Sequence, residues 1–445
     1  MEQAETSTNR LSGMFRALSH KNYRLFFIGQ GVSLIGTWME RIAMSWLVYR
    51  LTDSVFLLGM VSFCSLAPSF VLGPFAGVIS DRFDRHRILV ITQTLFMLQA
   101  SVVAALVLTD TVTIWHILTL STFLGIVNAF DTATRQAFVI ELVEDREDLS
   151  NAIALNSSLF NVARLVGPSI AGVIIAAVGE GACFLINALS YLAVIGSLLL
   201  MHTKPFVPSK HKRKVWQQLQ EGFRYTFRFP PIRAIILVVA GTSLIGMPFS
   251  VLMPAFARDV LGGNANTLGF LMGASGIGAL AGALYLAPRK SAVGLGKVII
   301  GAAVLFGLGL IAFSFTKVLW LSLVCMLFTG FGMIVQLASC NTILQTIVEE
   351  DKRGRVMSFY SMASLGMAPF GSLLAGALAD RIGVGYTFLG CGVLLILLII
   401  PFATQLSRLR EMVVPIYRRL GILPEIATGL RAASSLTGPA KEASP

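Results

Sequence analysis

Charge is what this chain has least of. Asp, Glu, Lys and Arg make up 13% of its 445 residues, where soluble proteins carry roughly 25%. Hydrophobic residues supply 55%, far more than a solvated surface of this size tolerates. A soluble globular reading is therefore excluded. Cysteine is also scarce: Cys64, Cys183, Cys325, Cys340 and Cys391 all fall inside apolar runs, and none forms a C-x-x-C pair. That spacing argues for buried packing rather than disulfides or a thiolate metal site. The Walker A, H-E-x-x-H and G-x-S-x-G patterns are missing as well. Direct ATP drive, zinc peptidase chemistry and serine hydrolysis lose their sequence support, and the expectation is no enzyme, no metal and no cofactor.

What the chain does have is long apolar runs. A helix needs about 20 such residues to cross a bilayer, and the sequence predicts twelve spans near 25–49, 54–80, 88–109, 113–140, 151–178, 181–201, 232–258, 265–287, 297–315, 318–345, 356–380 and 384–406. The first is too long for a signal-peptide core and is read as uncleaved. Outside the membrane, Lys and Arg gather on one side. Only Arg50, Arg258, Lys317 and Arg381 fall in the opposite turns, and Arg41, Arg135 and Arg164 fall within spans. The positive-inside rule then predicts both termini in the cytoplasm. The net charge of +12 reads as topology with anionic lipid as partner, not as nucleic-acid binding.

The organisation expected is a segment 1–24, a six-span half over 25–201, a linker over 202–231, a second half over 232–407 and a partly disordered cytoplasmic tail over 408–445. The linker is basic, and its Trp216, Leu219, Phe223 and Phe227 recur at helical spacing, as in an amphipathic helix on the inner membrane surface. The two halves repeat. Gly31–Gly36, "GVSLIG", returns as "GTSLIG" at Gly241–Gly246, and Leu58-Gly59 returns as Leu268-Gly269, each 210 residues on. Gly167, Gly172, Gly179 and Phe184 match Gly371, Gly376, Gly383 and Phe388, 204 apart. Parallel six-span repeats are the plan of a secondary transporter with its site between the halves.

One short turn concentrates the charge: "GVISDRFDRHR", Gly77 to Arg87, ends a stretch with none from Val55 to Ser80. Gly77-x-x-x-Asp81-Arg82-x-x-Arg85-x-Arg87 resembles the loop signature of the major facilitator superfamily, with Asp84 where that family usually has glycine. "ATRQAFVIELV", "LSNAIALNSSLFNVARLVGPSIAG" and "GRVMS" resemble its branch of enterobactin (siderophore) exporters and macrolide efflux proteins. The resemblance implies an all-α membrane fold of twelve helices in two pseudo-symmetric halves. It also implies a conformational latch formed by Gly77, Asp81, Arg82, Arg85 and Arg87. Asp81 would face the N-terminus of the eleventh span near Gly354–Ser358, where the helix dipole favours a carboxylate. Gly167, Pro168 and Gly172 resemble a helix-packing motif of the family's exporters; small residues there allow close approach.

Ionisable residues at membrane depth usually serve a pathway. Gln30, Ser33, Thr37 and Glu40 form a polar stripe on the first span, and Glu40 lies ~22 Å along it. Asn128, Asp131 and Arg135 share a face of the fourth span and read as a gate network. Arg164 lies ~20 Å into the fifth span, near Asn161, with Glu40 the counter-charge nearest in depth. The second half offers Met247, Gln336, Asn341 and Tyr360 as cavity residues. An acid that alternates between water and a dry cavity changes its proton affinity, so Glu40 and Asp131 are the proton-coupling candidates. The reading is a monomeric, proton-coupled exporter of an amphipathic drug or siderophore in the bacterial inner membrane, working by alternating access. A lysophospholipid transporter and a non-transporting sensor or scaffold are the alternatives.

Overall fold

The computed structural model describes residues 16–143, 146–202, 215–289 and 291–422, and among these it is helical with no strand. The first six helices are α1 (Lys21–Thr52), α2 (Val55–Arg82), α3 (Arg85–Leu108), α4 (Ile114–Glu141), α5 (Arg146–Val178) and α6 (Glu180–Leu199). After the linker helix α7 (Val215–Arg228) come α8 (Pro230–Ile245), α9 (Phe249–Ala255), α10 (Ala265–Leu286), α11 (Leu295–Ser314), α12 (Leu319–Ile347), α13 (Glu350–Gly366), α14 (Ala368–Ile382), α15 (Val384–Thr404) and α16 (Leu406–Arg419). Among the described residues, eleven segments are long and apolar enough to cross a membrane, counting Pro230–Val260 and Lys352–Ile382 as one each. α1 is not among them, because Gln30, Ser33, Thr37, Glu40 and Arg41 dilute its hydropathy. Its 32 residues exceed the bilayer requirement, so it completes a twelve-helix plan.

Two spans expected to be continuous are broken. In the seventh, Pro248 lacks an N–H, and α8 stops at Ile245 before α9 restarts; a π-helical turn, Phe256–Val260, then ends the span. In the eleventh, Pro369 sits in the first turn of α14, where its missing N–H costs nothing. α5, by contrast, runs unbroken through Pro168.

The chain's internal repeat is visible as contacts. A Cβ on Gly172 of α5 would lie 3.1 Å from Gly269 of α10, and one on Gly376 of α14 would lie 3.2 Å from Gly59 of α2. Gly59 and Gly269 are repeat mates, as are Gly172 and Gly376, so the two contacts exchange under the pseudo-two-fold relation. Gly179 and Gly383, also mates, hold φ +88° and +87°, a region side chains avoid, and each starts the last span of its half.

These close approaches bind the halves at one end only. α2 reaches Gly366 through Phe70, and Phe63 meets Phe370 edge-on at 5.7 Å. Nearer the Gly77–Arg87 turn, Gly73, Gly77 and Gly354 have nothing within 4 Å of a built Cβ. The end bearing that turn is called the basic end below, and the opposite one the far end. Among the described residues, the close contacts between the halves lie toward the far end, and the glycines nearest the basic end face open space.

The linker segment forms the expected helix, and a second helix lies beside it. α7 leans on α13, with Glu221 paired to Arg355 at 3.0 Å and Phe223 edge-on to Phe359 at 6.1 Å. Trp216 and Leu219, part of the expected apolar face, have side chains outside what is described, as does the basic run Lys204–Lys214. The segment from 408 opens within α16, whose Leu409, Val413 and Tyr417 are buried against the second half. Residues 1–15 and the tail from 423 lie outside the described residues.

Candidate functional site

The stripe on α1 faces inward, but toward α6 rather than toward the gap between the halves. Gly29 abuts Ala193 and Ser197, and Gly36 abuts Asn187 and Ser190. At 100° per residue Ser33 and Glu40 share that face. Ser33 and Glu40 are buried at 2% and 5% exposure, and Gln30 is buried too. Ser33 and Gln30 are therefore structural rather than open to a ligand in this state. Thr37 is half-buried and back-bonds to the Ser33 carbonyl at 2.9 Å.

Glu40 accepts a hydrogen bond from Asn187 Nδ2 at one carboxyl oxygen. Its other oxygen, Oε1, is buried with no hydrogen bond of good geometry, although the Gln99 amide lies within reach. Gln99 of α3, itself buried with an unsatisfied amide, borders it, and Tyr191 is its electrostatic neighbour. The carboxyl group is half-satisfied in a buried setting, which is where adding or removing a proton changes the energy most.

Asp131 is buried at 2% exposure and fully engaged. Its Oδ1 accepts from Thr92 Oγ1 at 3.0 Å and Gln93 Nε2 at 2.8 Å, and its Oδ2 pairs with Arg135 at 3.4 Å. Asn128 belongs to a different arrangement: its amide donates to Ser69 Oγ at 3.3 Å and joins α4 to α2. The face that held all three together in sequence thus splits between two partners.

Arg164 is not paired with Glu40. α5 packs on one side of α1, where Gly167 meets Ile35, Trp38 and Met39, while Glu40 points to α6 on another. Its electrostatic neighbour is instead Arg41, which is exposed and lies 4.8 Å over the Trp38 ring. Asn161 spends its amide on the Ser157 carbonyl at 2.9 Å.

In the second half, Gln336 is buried and donates to Thr242 Oγ1 at 2.7 Å. Met247 packs against the main core, and Tyr360 donates to the Leu337 carbonyl at 3.1 Å. Asn341 does line open space: a cavity of about 430 Å³ at the basic end, shared with Ala338, Thr342, Gln345, Thr346 and Arg353.

At the basic end, Arg85 binds Asp81 at 3.0 Å and Glu141 of α4 at 2.6 Å. Asp81 is 64% exposed, and among the described residues its ion pair is with Arg85 of the same turn rather than with α13. Arg82 and Arg87 are exposed. Asp84 has an evident use: its Oδ1 accepts from His86 N at 2.9 Å and Arg87 N at 3.4 Å, capping α3.

The far end carries a set of residues the sequence reading passed over. Arg258 pairs with Asp53 at 2.6 Å across the halves and lies 5.6 Å from the Tyr49 ring. Tyr49 donates to Asp259. Tyr49 and Asp259 are 210 residues apart, the offset of the repeat, so aligning the ends of the first and seventh spans was the available signal.

Residues 12–416 match the family profile described as transmembrane secretion effector. The chain is 27% identical over 392 residues to the staphyloferrin A transporter of Staphylococcus aureus, covering 87% of this chain and 97% of that one. It is 25% identical over 410 residues to macrolide efflux protein A of Streptococcus pyogenes, covering 88% and 98%. Among solved structures, a bacterial homolog of the human lysosomal transporter Spinster, inward-facing and occupied, superposes with a TM-score of 0.68 at 14% identity, covering 87% of this chain and 97% of that chain.

Proposed function

Since the chain belongs to the transmembrane secretion effector family of major facilitator transporters, we propose that it exports an amphipathic small molecule, a drug or siderophore, in exchange for protons. The basic end faces the cytoplasm in this reading. The observation that carries it is Glu40, a buried acid with one oxygen lacking a hydrogen bond of good geometry, next in sequence to Arg41, which is exposed.

In the state seen here, the gap between the halves opens at the basic end and takes substrate from the cytoplasmic side. Closure there brings Asp81 to the N-terminus of α13 and separates Arg258 from Asp53, opening the far end. Glu40 takes a proton from outside and releases it inside as the surrounding polar groups rearrange. Asp131, with both oxygens occupied, holds Arg135 in place and is the weaker carrier candidate. The relative named for macrolide efflux supports the outward direction.

The test uses proteoliposomes under an imposed pH gradient, with a panel of fluorescent amphiphiles of either charge. Wild type accumulates at least one against its gradient. Glu40→Gln keeps downhill exchange and loses accumulation. Accumulation at the wild-type rate in Glu40→Gln removes Glu40 as carrier; no gradient-driven movement of any probe removes proton coupling. Probe flux through wild type that ignores the gradient would favour the lipid-transporter alternative.

A further inference from the structure

The first half holds two guanidinium groups within spans, Arg41 and Arg164, that form no ion pair among the described residues. Among the described residues, neither Arg41 nor Arg164 has a carboxylate within ion-pair distance; the buried span acids Glu40 of α1 and Asp131 of α4 are turned elsewhere, Glu40 to Asn187 and Asp131 to Arg135, Thr92 and Gln93. Glu40 attracts Arg41 through space without contacting it, while Arg41 also feels the like charge of Arg135 and Arg164 feels that of Arg41. Arg41 is exposed and Arg164 partly so, although both lie on helices packed inside the molecule. Unpaired cations at membrane depth are costly, and their usual resolution is a partner from the pathway itself.

Aromatic surface lies beside them. Arg41 stacks over Trp38 at 4.8 Å, and Trp38 meets Phe160 edge-on at 5.6 Å. Phe160 is exposed and lies one helical turn from Arg164. Trp38 also rests on Gly167, so α1 and α5 hold the cations and rings in one place. Guanidinium groups suit planar carboxylates and phosphates, which they bind through two parallel N–H donors.

Resting on the transport reading above, we propose that Arg41 and Arg164 clamp the anionic group of the substrate, a carboxylate or phosphate, while Trp38 and Phe160 carry its apolar body. The transported class is then anionic amphiphiles, and permanent cations are poor substrates.

The test is equilibrium binding to the purified full-length protein in detergent, which needs no gradient. The probes are dansylglycine, its carboxamide, dansyl phosphoethanolamine and dansylcholine. Wild type should bind an anionic probe at least tenfold tighter than the carboxamide or dansylcholine. Whichever of the carboxylate and phosphate binds tighter identifies the group. Arg164→Ala and Arg41→Gln should each weaken the anion about 10–100-fold while leaving the carboxamide unchanged, as expected for loss of a charge-assisted contact. Arg164→Lys should restore part of the preference. Equal binding of anion and carboxamide by wild type overturns the proposal, as does an anion preference that survives in both variants. If Arg164→Ala does not fold, Arg41→Gln decides. Anion-selective binding without proton-driven transport would refute the coupling and keep the clamp; proton-driven transport of dansylcholine would do the reverse.

Discussion

The far-end closure makes a graded prediction, because its contacts differ in kind. Asp53→Asn removes the ion pair with Arg258, whose side chains are 71% and 41% exposed. Exposed pairs contribute about 0.2–1 kcal/mol, so the far-end-closed population should fall by at most about fivefold relative to the alternative. Arg258→Ala removes the same pair and the contact with the Tyr49 ring, adding about 0.5–1 kcal/mol. Tyr49→Phe keeps the ring and deletes the hydrogen bond to Asp259. Tyr49 is 4% exposed, and bonds to charged groups contribute about 1.5–3 kcal/mol. The partly hydrated Asp259 carboxylate argues for the lower part of that range, near tenfold. The expected order of opening is Tyr49→Phe at or above Arg258→Ala, then Asp53→Asn. Spin labels on the two halves at the far end read it as the fraction of long distances in lipid. An Asp53→Asn protein that opens as far as Tyr49→Phe would show that the Tyr49–Asp259 bond does not dominate the far-end closure, as would a Tyr49→Phe protein that stays closed.

Other outcomes follow from the same geometry. Gly59→Ala places a Cβ 2.4 Å from the Ser372 carbonyl, so it should raise far-end cysteine labelling without lowering membrane abundance; unchanged labelling would mean the glycine contact does not set the closed state. Asp131→Asn leaves Arg135 without its buried partner, at a cost of roughly 3–5 kcal/mol, and should lower thermal stability in detergent much more than Asn128→Ala. Asp84→Ala should destabilise the start of α3 by about 1 kcal/mol, whereas Asp84→Gly should cost only a few tenths, measured as thermal midpoints. Asp81→Asn should leave this far-end-closed state intact, since the carboxylate is largely exposed here, and slow the closure of the basic end seen by cysteine accessibility.

Hydropathy and the 210- and 204-residue repeats carried the helical plan, because membrane spanning imposes length and apolarity on every helix that lacks a functional stripe. α1 met the limit of that rule: its polar residues lowered its hydropathy while marking it as interior. Helix breaks at Pro248 and Pro369 were also written in the chain, although apolar continuity masked them. Which face of α1 points where was not legible. Periodicity shows that Gln30, Ser33, Thr37 and Glu40 lie to one side, and only packing shows that side to be α6. For the same reason depth alone suggested Glu40 as the partner of Arg164, when Glu40 points from α1 to α6 and Arg164 lies on α5, packed on another side of α1. The pairing of Asp131 with Arg135 was local, four residues apart on one helix, and so was open to a sequence reading. The far-end set was not local and depended on aligning two halves.

Exchange of substrate for protons through Glu40 would show itself as substrate-evoked proton movement. Proteoliposomes with weak internal buffer and a trapped pH dye receive a transported probe with no imposed gradient. Wild type should show a pH change opposite in direction to the probe's movement, and Glu40→Gln should move the probe with no pH change. Probe movement through wild type with no accompanying proton flux would contradict that exchange.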